Sequence, residues 1–194
     1  MKKIIAILFF ASVTFSNNVS AQELAVRLAQ NQCFVKLIDN FDIVLNVTKQ
    51  NTSVINISAE DFNSSQDKDA YLSDVTGLPL ETVKNINQDI KGCFTNIKDS
   101  IPELDQLTKN EMETVFSEAV NIVERTAGGE IGGGSGGDPC ADCKRAGRRN
   151  MIGNTFFGII ACPWHIWTSW ACGTYGFYLA AQATLECLRA NNCK

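Results

Sequence analysis

The chain has 194 residues, 17 of them basic and 21 acidic, for a net charge of −4, with eight cysteines and one histidine. That balance excludes a polyanion-binding surface spread over the whole chain, so nucleic acid is not an expected partner. A single histidine also excludes paired-histidine metal sites, and no nucleophile and orienting group can be named to complete a triad around it.

The chain opens MKKIIAILFFASVTFSNNVSAQ. Lys2 and Lys3 precede an apolar run from Ile4 to Phe15, too short to span a bilayer comfortably, and Val19-Ser20-Ala21 has the small-residue form of a cleavage site. Residues 1–21 read as a secretory signal peptide, with the mature chain beginning at Gln22. The expected location is secreted or periplasmic, where an even number of cysteines reads as disulfides.

Residues 22–126 read as an acidic helical module. Ala25, Leu28, Ala29, Cys33 and Val35 follow helical spacing, and Phe41, Ile43, Val44 and Leu45 continue the apolar content. The Asn/Ser/Thr-rich stretch Asn46–Ser65 breaks the pattern and reads as a surface loop; it contains N-x-Ser/Thr sequons at Asn46, Asn51, Asn56 and Asn63. A short helix is expected over Asp67–Val75, stopping at Gly77. The next begins near Pro79, places Leu80, Val83, Ile86, Ile90, Cys93, Phe94 and Ile97 on one stripe, and ends at Pro102. Thr108 and Glu111 form a capping box that opens a helix carrying Met112, Val115, Phe116, Ala119, Val120 and Val123. Cys33 and Cys93 lie on separate helical segments. A bridge between them closes a loop of about sixty residues, nominally ~4 kcal/mol in the chain-entropy model.

Residues 127–137, AGGEIGGGSGG, have the composition of a flexible Gly-rich linker. Charge divides there. Residues 22–137 hold nine basic and eighteen acidic residues, and 138–194 hold six and three. An acidic module tethered to a cationic one can associate with it or keep it from anionic surfaces.

Residues 138–194 contain six of the eight cysteines: Cys140, Cys143, Cys162, Cys172, Cys187 and Cys193. So short a segment buries too little apolar surface to be secure without staples. Lys144, Arg145, Arg148 and Arg149 cluster within one to two turns, and residues 150–185 then carry no Lys, Arg, Asp or Glu. Helices are expected over Asp142–Ala161 and Thr174–Ala190, with Pro163 and Gly173 flanking the connection. An antiparallel hairpin brings Cys140 and Cys143 near Cys187 and Cys193, while Cys162 and Cys172 pin the other end. Six cysteines allow fifteen pairings, so those at the base stay open. Cys140-x2-Cys143 is also half a zinc ribbon or a redox pair. No second CxxC follows, His165 has no partner at metal spacing, and no βαβ pattern is present. No cofactor or metal is expected.

Trp164, Trp167 and Trp170 recur every third residue in the uncharged stretch ACPWHIWTSWAC, and Tyr175 and Tyr178 follow. Tryptophan has an apolar body and an N–H donor and favours the membrane–water interface. Gly153, Gly158, Gly173 and Gly176 permit close helix approach, and the basic cluster suits anionic headgroups. A target-cell membrane is the expected partner, with Lys144, Arg145, Arg148, Arg149, Trp164, Trp167, Trp170, Tyr175 and Tyr178 as contacts.

The CADC opening at Cys140 and Cys143, the uncharged middle interrupted by Cys162 and Cys172, and the closing CLRANNC at Cys187 and Cys193 resemble the halocin C8-like bacteriocin family. The likeness covers the last 57 residues or so. It implies an exported precursor whose C-terminal peptide is toxic and whose N-terminal segment serves as a pro-region or immunity-like partner. The chain departs from the family in having fewer cysteines, more tryptophan and no twin-arginine signal. The combined expectation is an all-α protein with an N-terminal helical module, a flexible Gly-rich linker and a small disulfide-stapled helical hairpin. It is non-catalytic, either a bacteriocin-like precursor or a secreted adaptor whose modules stay joined.

Overall fold

The computed structural model describes residues 19–50, 56–126, 138–161 and 166–193, without the side chains of residues 50, 159–161 and 166–170. The expectations for residues 1–18, Asn51, the stretch 127–137, Cys162, Trp164 and His165, and for the side chains of Trp167 and Trp170, lie outside what is described. Among the described residues the chain is all-helical, with eight α-helices, one 3₁₀ turn and no strand.

The helices are α1 (Ala21–Gln30), α2 (Gln32–Gln50), α3 (Ala59–Ser64), α4 (Lys68–Thr76), α5 (Leu80–Ser100), α6 (Lys109–Thr126), α7 (Pro139–Ala161) and α8 (Ile166–Ala190), with the 3₁₀ turn at Pro102–Gln106. Local chemistry sets most of their ends. Asn31 divides what the apolar spacing suggested was one helix: its backbone is extended, and its Oδ1 accepts from the N–H groups of Cys33 (2.9 Å) and Phe34 (3.2 Å), capping α2. Gly77 closes α4 with φ 71°, a conformation open to glycine at no steric cost. At α6 the capping box is complete, with Glu111 Oε2 accepting from the Thr108 N–H at 2.8 Å and Thr108 Oγ1 accepting from the Glu111 N–H at 3.4 Å.

Three boundaries correct the sequence reading. Asn46 is not in a loop: α2 runs through it, because Val44, Leu45 and Thr48 are buried on one face while Asn46 stays exposed. Asn63 lies in α3, and Asn56 is exposed in the segment before it. The last helix begins eight residues earlier than Thr174, so Cys172 and Gly173 lie inside α8 rather than beside it.

The core is continuous from end to end. Helix α1 packs on α6, α2 on α5, and α7 on α8, and the last pair also rests against α2, α5 and α6. Leu28, Phe34, Phe41, Ile90 and Phe116 from the N-terminal helices and Met151, Ile152, Phe156, Phe177 and Tyr178 from the C-terminal pair belong to one buried cluster. Each fully buried large apolar side chain contributes about 1.5–3 kcal/mol relative to exposure.

A disulfide-clamped hairpin and its seat

Helix α7 starts with Pro139 in its first turn, where a missing N–H costs nothing, and Asp138 Oδ1 accepts from the Cys140 N–H at 3.0 Å. Helix α8 ends in a left-handed Asn192 (φ 54°), which turns the Cys193 N–H back onto the Leu188 carbonyl at 2.9 Å. These two ends present the cysteines to one another. Cys140 bridges Cys193 and Cys143 bridges Cys187, with Cα separations of 5.6 and 5.7 Å. Cys172 is also disulfide-bonded, and its expected partner Cys162 lies outside the described residues. Cys33 and Cys93 depart from expectation: both are free thiols.

Between the bridges the two helices approach through glycine. A Cβ at Gly158 would sit 2.7 Å from the Cys172 carbonyl oxygen, and one at Gly176 would sit 2.6 Å from that of Asn154. Backbone against backbone leaves nothing that can swing aside. Gly153 makes no such contact, its nearest atoms being those of Phe157 at 3.9 Å on the same helix.

The hairpin is seated on the N-terminal helices by aromatic and ionic contacts. Phe156 stands between Phe94 and Phe116, at 4.8 and 4.7 Å between ring centroids. Phe177 meets Phe41 edge-on at 5.7 Å, and Tyr175 lies 5.3 Å from Phe62. The Gln182 side chain accepts the Ile57 N–H at 2.9 Å.

Three of the four clustered basic residues contact the acidic half. The Arg148 guanidinium sits between two carboxylates: Nη2–Asp42 Oδ2 is 2.7 Å, Nε–Asp42 Oδ1 is 3.1 Å and Nη1–Glu124 Oε1 is 2.8 Å. Burial opposes the charge there, but the hydrogen bonds and charges of Asp42 and Glu124 outweigh it and raise the Arg148 pKa above its ordinary value. Arg145 reaches Glu124 Oε2 and its own Asp142, each at 3.1 Å. Arg149 donates to Asn121 Oδ1 at 2.6 Å. Lys144 is half-buried on the same helix.

Tyr178 is fully buried, not facing outward, and its hydroxyl has no partner in the structure. Burial first, and then the charge of Asp69, push its pKa well above the ordinary value. Tyr175 is half-exposed and lines an open cleft of about 870 Å³ with Phe62, Ala171, Cys172, Lys68 and Asp69.

Among the described residues no cluster of three His, Cys, Asp or Glu has the arrangement to hold a metal, and no helix is long and apolar enough to cross a membrane. The sequence divided charge correctly between the halves but did not name Asp42, Asn121 or Glu124 as the groups that meet the arginines. Each sits on an amphipathic helix, and only the fold selects it. Comparison with family models, curated proteins and solved structures finds no match to this chain.

Proposed function

We propose that the chain is an exported, non-catalytic, bacteriocin-like precursor in which the N-terminal helices sheath a membrane-disturbing hairpin. The observation that carries this reading is the placing of Arg148 between Asp42 and Glu124. A cationic surface suited to anionic headgroups is neutralised by the same chain, so the intact protein is latent. The disulfide clamp would keep the hairpin folded once the sheath is removed, and the cysteine usage fits an oxidising, extracytoplasmic setting. The membrane would meet the basic turn together with the aromatic segment around residues 164–175.

A second reading, a secreted adaptor that is never divided, draws on the shared core, since Phe156 and Phe177 are buried among N-terminal side chains. One experiment separates the two. A protease site is placed within residues 127–137 of the full chain, and dye release from vesicles rich in anionic lipid is followed before and after cutting. The precursor reading expects quiet vesicles with the intact chain, leakage after cutting and separation of the halves, and suppression when the N-terminal half is added back. A cut, separated and correctly bridged hairpin that leaves the vesicles sealed would favour the adaptor.

A further inference from the structure

Helices α2 and α5 run antiparallel, and three polar contacts fix their register. Asn31 Nδ2 donates to Asn96 Oδ1 at 3.2 Å at one end, and Lys36 meets Asp89 at 2.7 Å at the other, where Asn40 also reaches Asp89 at 3.2 Å. Between these contacts the same register sets Cys33 opposite Cys93. They differ in access: Cys33 is half-buried, whereas Cys93 is 3% exposed. The other described cysteines are already bridged, so this facing pair holds the only free thiols among them.

We propose that Cys33 and Cys93 form a thiol–disulfide exchange site, at which an external disulfide donor is reduced and a bridge is closed between α2 and α5. The half-buried Cys33 is the entry point. Its sulfur, having lost its proton to solvent, attacks one donor sulfur; the donor S–S bond breaks and the other donor sulfur leaves as a thiolate, giving a mixed disulfide at Cys33. The Cys93 thiol then gives up its proton, its sulfur attacks Cys33 Sγ, and the second donor sulfur leaves. Two protein thiols become one disulfide, and one donor disulfide becomes two thiols. Burial, with Cys33 and Asp89 nearby, pushes the Cys93 thiol up to about 12, which makes it a poor initial nucleophile.

The position matters beyond the bond itself. Cys93 adjoins Phe94, which packs on Phe156, and α2 carries Phe41 and Asp42, which seat Phe177 and Arg148. The bridge fastens together two of the three helices that hold the hairpin. This inference does not depend on the membrane reading.

The test uses the full chain with its C-terminal bridges intact. It is incubated with glutathione disulfide, or in a second arm with oxidised thioredoxin as a protein donor, then quenched with alkylating agent and mapped by peptide mass. The expected result is an adduct at Cys33 that appears first and gives way to a Cys33–Cys93 linked peptide. Cys93→Ser should arrest the reaction at the Cys33 adduct, and Cys33→Ser should leave Cys93 unmodified while the chain is folded. Closure with either donor supports the site and identifies the kind of donor it accepts. A first adduct at Cys93, linkage to another cysteine, or no linkage with either donor overturns it. The wild-type time course alone decides the matter should a variant fail to fold.

Discussion

The α2/α5 pair and the α7/α8 hairpin are both antiparallel helix pairs, yet they are held by opposite means. Helices α2 and α5 meet through large apolar side chains and a row of polar contacts from Asn31–Asn96 to Lys36–Asp89, with their two cysteines unbridged. Helices α7 and α8 meet through glycine at Gly158 and Gly176 and are fixed covalently at the base. The first pair depends on side-chain volume and on its neighbours. The second carries more of its integrity within itself.

The largest expected effect lies where the two regions meet. Phe156→Ala removes a buried ring that contacts both Phe94 and Phe116, and should destabilise the full chain by about 3–5 kcal/mol in urea unfolding. Exchanging Cys143 and Cys187 together for alanine removes one base bridge and should cost about 2–5 kcal/mol. The comparison predicts different consequences for these two changes. The phenylalanine variant should loosen the hairpin from its seat while leaving the hairpin protected from proteolysis. The cysteine variant should fray the hairpin base first. Equal protease sensitivity throughout both variants would show that the two regions do not differ in the way described.

Gly158→Ala tests the glycine contact directly. Its new Cβ meets the carbonyl of Cys172, which can yield only by separating α7 from α8, and the expected loss is about 1–3 kcal/mol. Gly153→Ala should lack that penalty, since its nearest neighbour is an ordinary contact on its own helix. The ion pair comes next. A double-mutant cycle on Asp42→Asn and Arg148→Met should return a coupling of roughly 0.5–3 kcal/mol, reduced but not abolished by salt because both groups are partly buried. Under the precursor reading, Asp42→Asn should also lower the vesicle concentration at which leakage begins.

How much of this was legible in the sequence follows the same division. The stripe from Val83 to Ile97 and the face of α6 from Met112 to Val120 are buried as their spacing predicts, because a helix with one wet face advertises its period. Leu80, on the predicted stripe, is 38% exposed in the first turn of α5, where the core no longer reaches it. Helix α8 was harder. It is apolar on several sides because it packs on α7, α2 and α5 at once, so its sequence has no polar face to mark its start, and Gly173 read as a breaker. In the fold that residue is a buried contact facing Gly158. The pairing at the hairpin base stayed open until the helix ends were fixed in space. The basic cluster was plain in the sequence, but its occupation by Asp42, Glu124 and Asn121 depends on contacts between residues as many as 106 positions apart.

The smallest effect belongs to the N-terminal region alone and sharpens the comparison from the other side. Glu111 is held below the usual carboxylate range by its hydrogen bonds from the Thr108 side chain and then its backbone N–H. A carboxylate depressed on folding binds fewer protons in the native than in the unfolded state. Its contribution is therefore fully present above the ordinary glutamate range and is lost as pH falls through the lower, folded value. Thr108→Ala removes the side-chain half of the cap and should cost about 1 kcal/mol near neutral pH. Glu111→Gln should instead flatten part of the acid limb of the stability curve. Neither side chain hydrogen-bonds to the hairpin, although the neighbouring Lys109 lies over the Phe157 ring at 5.4 Å, so protection of α7 and α8 against proteolysis should match that of the unaltered chain as long as the Lys109 contact survives. If a cap at the start of α6 also loosens Cys140–Cys193 or Cys143–Cys187 to exchange, the hairpin depends on the N-terminal helices for more than its covering.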